Sequence, residues 1–85
     1  MLEATPVKEV RDLILHLVTS IVDDPKDIRV VDEQGEQTVV YKVYAPKEEV
    51  GKIIGREGRM AAALRTILYS YCSKRGFRAV LEIAE

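Results

Sequence analysis

Residues 38–45, Thr-Val-Val-Tyr-Lys-Val-Tyr-Ala, alternate strictly. Val39, Tyr41, Val43 and Ala45 fall on one face of an extended chain, and Val40, Lys42 and Tyr44 on the other. A strand with one apolar face needs a covering layer on that side and water on the other. The segment before it, Asp27-Ile28-Arg29-Val30-Val31-Asp32, is also β-branched and alternating, and Gln34-Gly35 supplies a turn. The two read as a β-hairpin with one side to be covered. The chain has 85 residues, a size that buries roughly 60–65% of the unfolded surface, enough for one core. Residues 1–85 are therefore expected to form a single domain.

Helices on both sides of the hairpin supply the cover. Thr5 is positioned to cap the first, with Pro6 at the first helical position, where its missing N–H costs nothing. Val7, Val10, Leu13, Ile14, Leu15, Leu17, Val18, Ile21 and Val22 then spread over about 200° of arc, wider than the ~100° stripe of an ordinary surface helix. Such a helix sits deep against a sheet or buries a second flank against a partner. Asp23-Asp24-Pro25 ends it. After the hairpin, Pro46 opens a short helix with Glu48 and Glu49 in its first turn. It runs through Val50, Ile53 and Ile54 to Gly55. A longer helix starts near Gly58, with Ala61, Leu64, Leu68 and Tyr71 as its stripe and Met60 and Ile67 widening it. Lys74-Arg75-Gly76 stops it. Phe77–Ile83 closes the chain as a strand with Phe77, Ala79, Leu81 and Ile83 inward. The order is α-β-β-α-α-β. The crossover through two helices makes the second and third strands candidates for parallel pairing. The expected fold class is α+β, a two-layer sandwich of a three-stranded mixed sheet with three helices on one face. It divides into an N-terminal helix and hairpin (5–45) and a helix–loop–helix–strand core (46–84).

Several function classes drop out. No apolar run reaches the ~18–20 residues of a membrane span. The start, Met1-Leu2-Glu3-Ala4-Thr5-Pro6, lacks the basic and apolar blocks of a signal peptide. Cys72 is alone, so neither a disulfide framework nor a cysteine zinc site is expected. A cytoplasmic location follows as the expectation, with no membrane partner and no small-molecule substrate. No Ser/His/Asp set, paired carboxylates or metal cluster suggests catalysis, so the chain is read as a non-enzyme that needs no cofactor. Thirteen basic against fourteen acidic residues hide a segregation. Residues 1–41 carry four bases and nine acids, whereas residues 42–78 carry nine bases and three acids. That asymmetry is either an uneven solvated surface or a face for a polyanion in the second half.

The chemistry-bearing stretch is Ile53-Ile54-Gly55-Arg56-Glu57-Gly58-Arg59. A Gly-x-x-Gly spacing alone is a weak signal; its place between a short apolar helix and a long one is what matters. Two glycines there remove Cβ obstruction, so a phosphodiester backbone can come close. The first-turn N–H groups after Gly58 lack intrahelical acceptors, and the helix dipole adds positive potential. Lys52, Arg56 and Arg59 add side-chain cations. Ile53 and Ile54 turn partly toward the core and partly toward an apolar groove where bases can lie. The competing reading is a helix–turn–helix corner that uses glycine only to reverse direction. The loop lacks the Lys-Ser/Thr of a nucleotide-hydrolysing P-loop.

This order of elements with I-I-G-R-E-G-R between the middle helices resembles the type II K-homology (KH) RNA-binding domain. The stretch P-K-E-E-V-G-K-I-I-G-R-E-G-R-M-A-A-A-L-R and the chain length resemble the small bacterial single-KH proteins of the KhpA (YlqC) family. KH domains clamp about four nucleotides of backbone on such a loop. The resemblance implies that Gly55, Arg56, Glu57 and Gly58 form the phosphate clamp, flanked by Lys52 and Arg59. Ile54, Ala61 and Ala62 would line the base-binding groove. It also implies single-stranded RNA as partner, an RNA chaperone or adaptor role, a homodimer, and a heteromer with a KhpB/Jag-type KH protein in cell-wall (peptidoglycan) and cell-length control. Glu57 departs from the family's basic or small loop residues and should weaken binding, giving a shallow salt dependence. The alternative is a KH-fold protein-interaction or dimerisation module with residual RNA binding.

The remaining residues read more plainly. His16 lies on the polar arc of the first helix and reads as a surface residue. Cys72 reads as a small core filler. Tyr41 belongs to the core, while Tyr44 is exposed or stacks a base. Tyr69 points off its helix stripe and is a candidate dimer contact.

Overall fold

The structure, a computed structural model, describes residues 4–85; Met1-Leu2-Glu3 of the signal-peptide reading lie outside them. Helix α1 (Ala4–Ile21) is followed by strands β1 (Arg29–Gln34) and β2 (Thr38–Tyr44), helix α2 (Lys47–Ile54), a 3-10 turn (Arg56–Gly58), helix α3 (Arg59–Ser73) and strand β3 (Arg78–Ala84). The sheet order is β1-β2-β3. β1 pairs antiparallel with β2, matching Asp32 to Tyr41, and β3 pairs parallel with β2, matching Leu81 to Tyr41. This is the mixed three-stranded sheet and helix order expected of a type II KH domain.

The alternation in β2 sets the layers. Val39, Tyr41 and Val43 are fully buried under the helices, while Val40, Lys42 and Tyr44 stay partly open on the other face. Val7, Val10, Ile14 and Val18 of α1 pack onto them, joined by Ile53, Leu64, Leu68, Cys72 and Leu81. Val7 also fixes the helix to the sheet through a polar contact, its carbonyl accepting the Tyr41 hydroxyl at 2.9 Å. Arg11 adds a second tie, to Asp32 at 3.1 Å. The wide apolar arc of α1 is only partly covered: Leu15 remains exposed on its far flank.

Three boundaries differ most from the sequence reading, each for a local reason, and the last strand is shifted by one residue, to Arg78–Ala84. Helix α1 already runs at Ala4, so Thr5 sits inside it rather than capping it. The hairpin pairs Gln34 with Val39 and closes with the Gly35 N–H on the Thr38 carbonyl at 2.7 Å, which moves β1 two residues later than expected. Ile28 then buries beneath the sheet end, its N–H reaching the Pro25 carbonyl. Helix α3 ends at Ser73, and Lys74-Arg75 lie in the turn after it. Gly76 at φ 83° lets the Phe77 N–H return to the Cys72 carbonyl and the Gly76 N–H to that of Ser73, a Schellman closure.

Candidate nucleic-acid interface

The turn between α2 and α3 is built by its two glycines in different ways. Gly55 has φ 80° and ψ 171°, a conformation essentially reserved for glycine. A Cβ there would lie 2.6 Å from the Met60 Cβ and 2.8 Å from the Met60 backbone nitrogen. Gly55 therefore lets the turn fold back onto the first turn of α3. Gly58 has φ 74° and ψ 12°, and nothing lies within 4 Å of where its Cβ would be. One glycine faces protein and the other faces open space. Between them Glu57 also takes a left-handed conformation, φ 56° and ψ 26°.

The amides of this turn are only partly free. The Gly55 N–H donates to the Gly51 carbonyl at 2.9 Å, and the Gly58 N–H to that of Gly55 at 3.0 Å. The Arg59 N–H donates to the Arg56 carbonyl, which corrects, for this one group, the expectation that the N–H groups after Gly58 are uncommitted. Arg56 and Glu57 are the exposed tip, and their N–H groups find no backbone acceptor among the turn and cap bonds. The Arg56 and Glu57 amides at this tip, next to the α3 N-terminus, are thus the ones in the turn without a backbone acceptor.

The surrounding side chains divide. Arg56 is exposed and forms no ion pair among the described residues, and Arg59 stands 3.8 Å from Glu57 with both groups largely in solvent. Such an exposed pair holds weakly and is screened by salt. Lys52, expected beside the clamp, is turned the other way: its Nζ lies 2.6 Å from Asp23 and 2.9 Å from Glu49. Those two hydrogen bonds, Asp23 first, push the Lys52 pKa above its ordinary value. Ile53 is in the core, whereas Ile54 is 38% exposed at the end of α2. Ala61, expected to line a base groove, is 3% exposed and points inward, whereas Ala62, like Ala63 after it, is exposed on α3.

Glu49 supplies the reason for the Lys52 orientation, and the sequence reading missed it. Its carboxylate is buried and accepts the backbone N–H groups of Asp23 and Asp24 at 3.3 and 3.1 Å, besides the Lys52 ammonium. The Lys52 hydrogen bond, helped by those two amides, holds the Glu49 pKa below its ordinary value against the opposing effect of burial. The end of α1 is thereby bolted to α2, which carries the turn. The only sequence signal was an acid in the first turn of α2, equally explained by the helix dipole.

A cleft of about 700 Å³ lies between α3 and β3, lined by Arg65, Tyr69, Ser73, Phe77, Arg78, Ala79, Val80 and Leu81. β3 is an outer strand of the sheet, so this cleft borders its open edge. Arg65 donates to the Leu81 carbonyl there at 3.3 Å. Its lining was legible only as a helical flank running from Arg59 through Ala62 and Arg65 to Tyr69 and Ser73, at spacings of three or four.

The other singled-out residues fall as follows. His16 is exposed on α1. Cys72 is buried, and burial pushes its thiol pKa up, away from the reactive thiolate. Tyr44 carries Arg29 over its ring at 5.7 Å on the sheet face away from the helices. Among the described residues no group of three or more His, Cys, Asp and Glu could hold a metal ion, and no helix is long and apolar enough to cross a membrane.

Comparison with known proteins agrees with the fold. The family model described as the KH domain of KhpA/KhpB matches residues 11–83. The RNA-binding protein KhpA of Chlamydia pneumoniae is 37% identical over 75 residues, covering 88% of this chain and 96% of its own. The RNA-binding protein KhpA of Listeria monocytogenes is 39% identical over 74 residues, covering 87% and 97%. That of Bacillus subtilis is 41% identical over 63 residues, covering 74% and 78%.

Proposed function

The chain belongs to the KhpA/KhpB KH-domain family, and we propose that it binds RNA, gripping a short single strand through the turn at Gly55–Gly58. The observation that carries this reading is the two-amide tip at Arg56 and Glu57 beside the unobstructed Gly58. A phosphate there accepts from the two N–H groups and sits against the positive end of α3. Arg56 and Arg59 supply the mobile charge. Gly55 shapes the turn and does not itself contact the strand. Ile54 and Ala62 offer the apolar and small surface beside which a base can lie. Lys52 takes no part in the grip while Asp23 and Glu49 hold it.

Two arginine–phosphate contacts on single-stranded RNA give a log–log salt slope of about −1.4. Binding by one copy is correspondingly modest, and useful affinity comes from joining copies or partners. The role that fits is that of an RNA chaperone or adaptor in the cytoplasm, working as a homodimer or with a KhpB/Jag-type KH protein, with cell-wall and cell-length control as its setting. This wider role rests on the family resemblance.

The test is amide chemical-shift mapping with a short single-stranded RNA. Shifts centred on residues 54–59 and 62 support the reading. Shifts absent, or confined to α1 and the open sheet face, refute it. A second reading, a protein-interaction module, draws on Ile67, 47% exposed on the α3 flank away from β3 with Met60 near it in the helix wheel. It predicts that changing Arg56 and Glu57 together to Asp leaves RNA recovery after crosslinking unchanged; the RNA reading predicts that recovery is lost while self-association persists.

A further inference from the structure

We infer that the outer edge of β1 is where a second copy of this chain joins, β1 pairing antiparallel with the partner's β1 across a twofold axis at Val31, so that two sheets become one of six strands. The pairing stands on the strand itself; its use, two RNA grips on one particle, rests on the reading of the Gly55–Gly58 turn as a phosphate grip.

β1 is an outer strand, on the opposite side of the sheet from β3. The hairpin fixes which of its backbone groups are spent. Gly35 donates to Thr38, the residue directly across from it in the register, so theirs is a hydrogen-bonded pair. Bonded and non-bonded pairs alternate along an antiparallel ladder. Glu33, Val31 and Arg29 are therefore bonded to β2, while Val30 and Asp32 turn their N–H and C=O groups outward. None of the turn and cap bonds among the described residues engages those groups. A row of unpaired strand groups is a template for another strand.

Charge says which strand and in what register. An axis between two residues would set outward groups against groups already spent on β2, so it must pass a residue: Val30, Val31 or Asp32. At Asp32 it places two carboxylates face to face, and at Val30 it brings Asp27 to the partner's Glu33. Like charges directly opposite destabilise a sheet, and opposite charges support it. At Val31 the axis pairs Arg29 with the partner's Glu33 twice over, once on each side. Both side chains are exposed. Arg29 lies over Tyr44 at 5.7 Å, and Glu33 accepts from Lys42 at 3.0 Å with carboxylate lone pairs to spare.

Two exposed apolar side chains flank the same axis. Val31 is 43% exposed on the open sheet face and there meets its own counterpart, in a non-hydrogen-bonded pair where side chains stand closest. On the helix side Arg11 is bound to Asp32, and Leu15, 37% exposed, follows one turn later on that flank of α1. One turn rises about 5.4 Å, fewer than two residues of strand, so Leu15 stands beside the axis, where the partner's α1 covers it. The partner attaches on the side away from the glycine turn. Five strand spacings of about 4.8 Å set the two β3 strands about 24 Å apart, with a grip at each end of the joined sheet. An RNA long enough to reach both is held with an avidity that one grip lacks.

The test is an oxidative cross-link on the full chain. In Val31→Cys the two Cα atoms would lie about 4.5 Å apart, inside the ~4.4–6.8 Å that a disulfide spans, so a covalent dimer should form. Cys72 is buried and does not compete. Val40→Cys, on the same face but in the central strand, should stay uncross-linked. Sedimentation velocity over a concentration series then reads the charges. Arg29→Glu and Glu33→Arg should each weaken dimerisation roughly 2- to 30-fold from the lost attraction alone. Arg29→Glu/Glu33→Arg should restore it, which a merely misfolded variant would not do. By anisotropy, Arg29→Glu should weaken binding of fluorescein-labelled eicosauridylate, which reaches two grips, and leave hexauridylate as in the parent. No covalent dimer from Val31→Cys, an equal one from Val40→Cys, or self-association indifferent to the charge changes overturns the inference; the last assigns dimerisation to another face, such as that of Ile67. If cross-link and charge rescue hold while neither RNA binds, the edge pairing stands and the RNA reading falls.

Discussion

Replacing each glycine of the turn by alanine should have very different consequences, although both have positive φ. At Gly55 the new residue would hold φ 80°, ψ 171°, at a backbone cost of about 1–3 kcal/mol. Its Cβ would also lie 2.6 Å from the Met60 Cβ, against the ~3.5–4.0 Å of relaxed carbon contact. Because the Met60 backbone nitrogen lies just as near, at 2.8 Å, a side-chain rotation cannot relieve the overlap. Overpacking of this kind adds about 1–3 kcal/mol. The expected loss for Gly55→Ala is about 3–4 kcal/mol. At Gly58 the left-handed conformation costs about 1–2 kcal/mol, and stiffening of the unfolded chain returns about 0.4–1. With nothing near the new methyl, the expected net loss is about 1 kcal/mol. Domains of this size shift their Tm by roughly 4–8 °C per kcal/mol, so the two variants should separate by at least about 10 °C. Urea titration followed by circular dichroism gives the two free energies directly. Equal losses for the two variants would falsify the division of labour between a glycine facing protein and one facing open space. The same pair has a functional readout: Gly58→Ala puts a methyl on the surface that the strand approaches, so it should lose RNA affinity while remaining folded.

Four further outcomes follow from the electrostatics of the turn. Lys52→Met should lower stability yet leave the salt slope of RNA binding unchanged, because its ammonium already lies on Asp23 and Glu49; a shallower slope would return Lys52 to the strand. Arg56→Gln should reduce that slope by about 0.7, one phosphate's worth, as read from anisotropy titrations at several salt concentrations. Glu57→Asn should tighten RNA binding and hold or slightly raise stability, by up to about 1 kcal/mol, since asparagine tolerates the left-handed backbone; lowered stability in urea titration would refute the backbone part. Glu49→Gln should be less stable than the parent at pH 7. Glu49 has a folded-state pKa below its ordinary 4.5, so its contribution is present above that value and is lost as pH falls through the lower folded value. The stability gap between the two proteins should therefore narrow in urea titrations run below pH 4.5, and a gap independent of pH would show that the Glu49 charge is not responsible.

The layered fold was legible because each element announces its buried side through a local pattern. Val39, Tyr41 and Val43 can only be read as one covered face, and Val7, Val10, Ile14 and Val18 supply matching helical cover. The parallel placement of β3 followed from the length of the crossover. What escaped was finer than the layers. Lys52 looked like a clamp cation because Asp23, one of the two acids it meets, lies 29 residues away. Ala61 was assigned both to the apolar stripe of α3 and to the groove, and its burial beside Leu64 and Leu68 decides for the stripe. The amides of the turn looked uncommitted because a 3-10 turn cannot be read from Arg-Glu-Gly. The cleft beside β3 needed both the outer position of that strand and the flank of α3 at once.

The uneven charge of the chain acquires a physical meaning in this geometry. Acids of the first half do not simply dilute the bases of the second; they select among them. Glu33 takes Lys42 on the sheet face turned away from the helices, and Asp23 joins Glu49 in taking Lys52 at the far side of α2. Arg75 is occupied by Tyr71. Among the bases of residues 42–78 that no first-half acid holds, Arg56 and Arg59 lie at the turn and Arg65 and Arg78 along the cleft, with Lys47 and Lys74 elsewhere on the surface. Solvent-exposed charges beyond about 8–10 Å are screened at physiological salt, so a polyanion responds to this local row and not to the net charge of −1. A protein slightly acidic overall can therefore present a cationic track running from the turn to β3. Glu57 lies within that track, next to Arg59, so under the proposed grip its charge opposes the phosphate and tunes how firmly a strand is held.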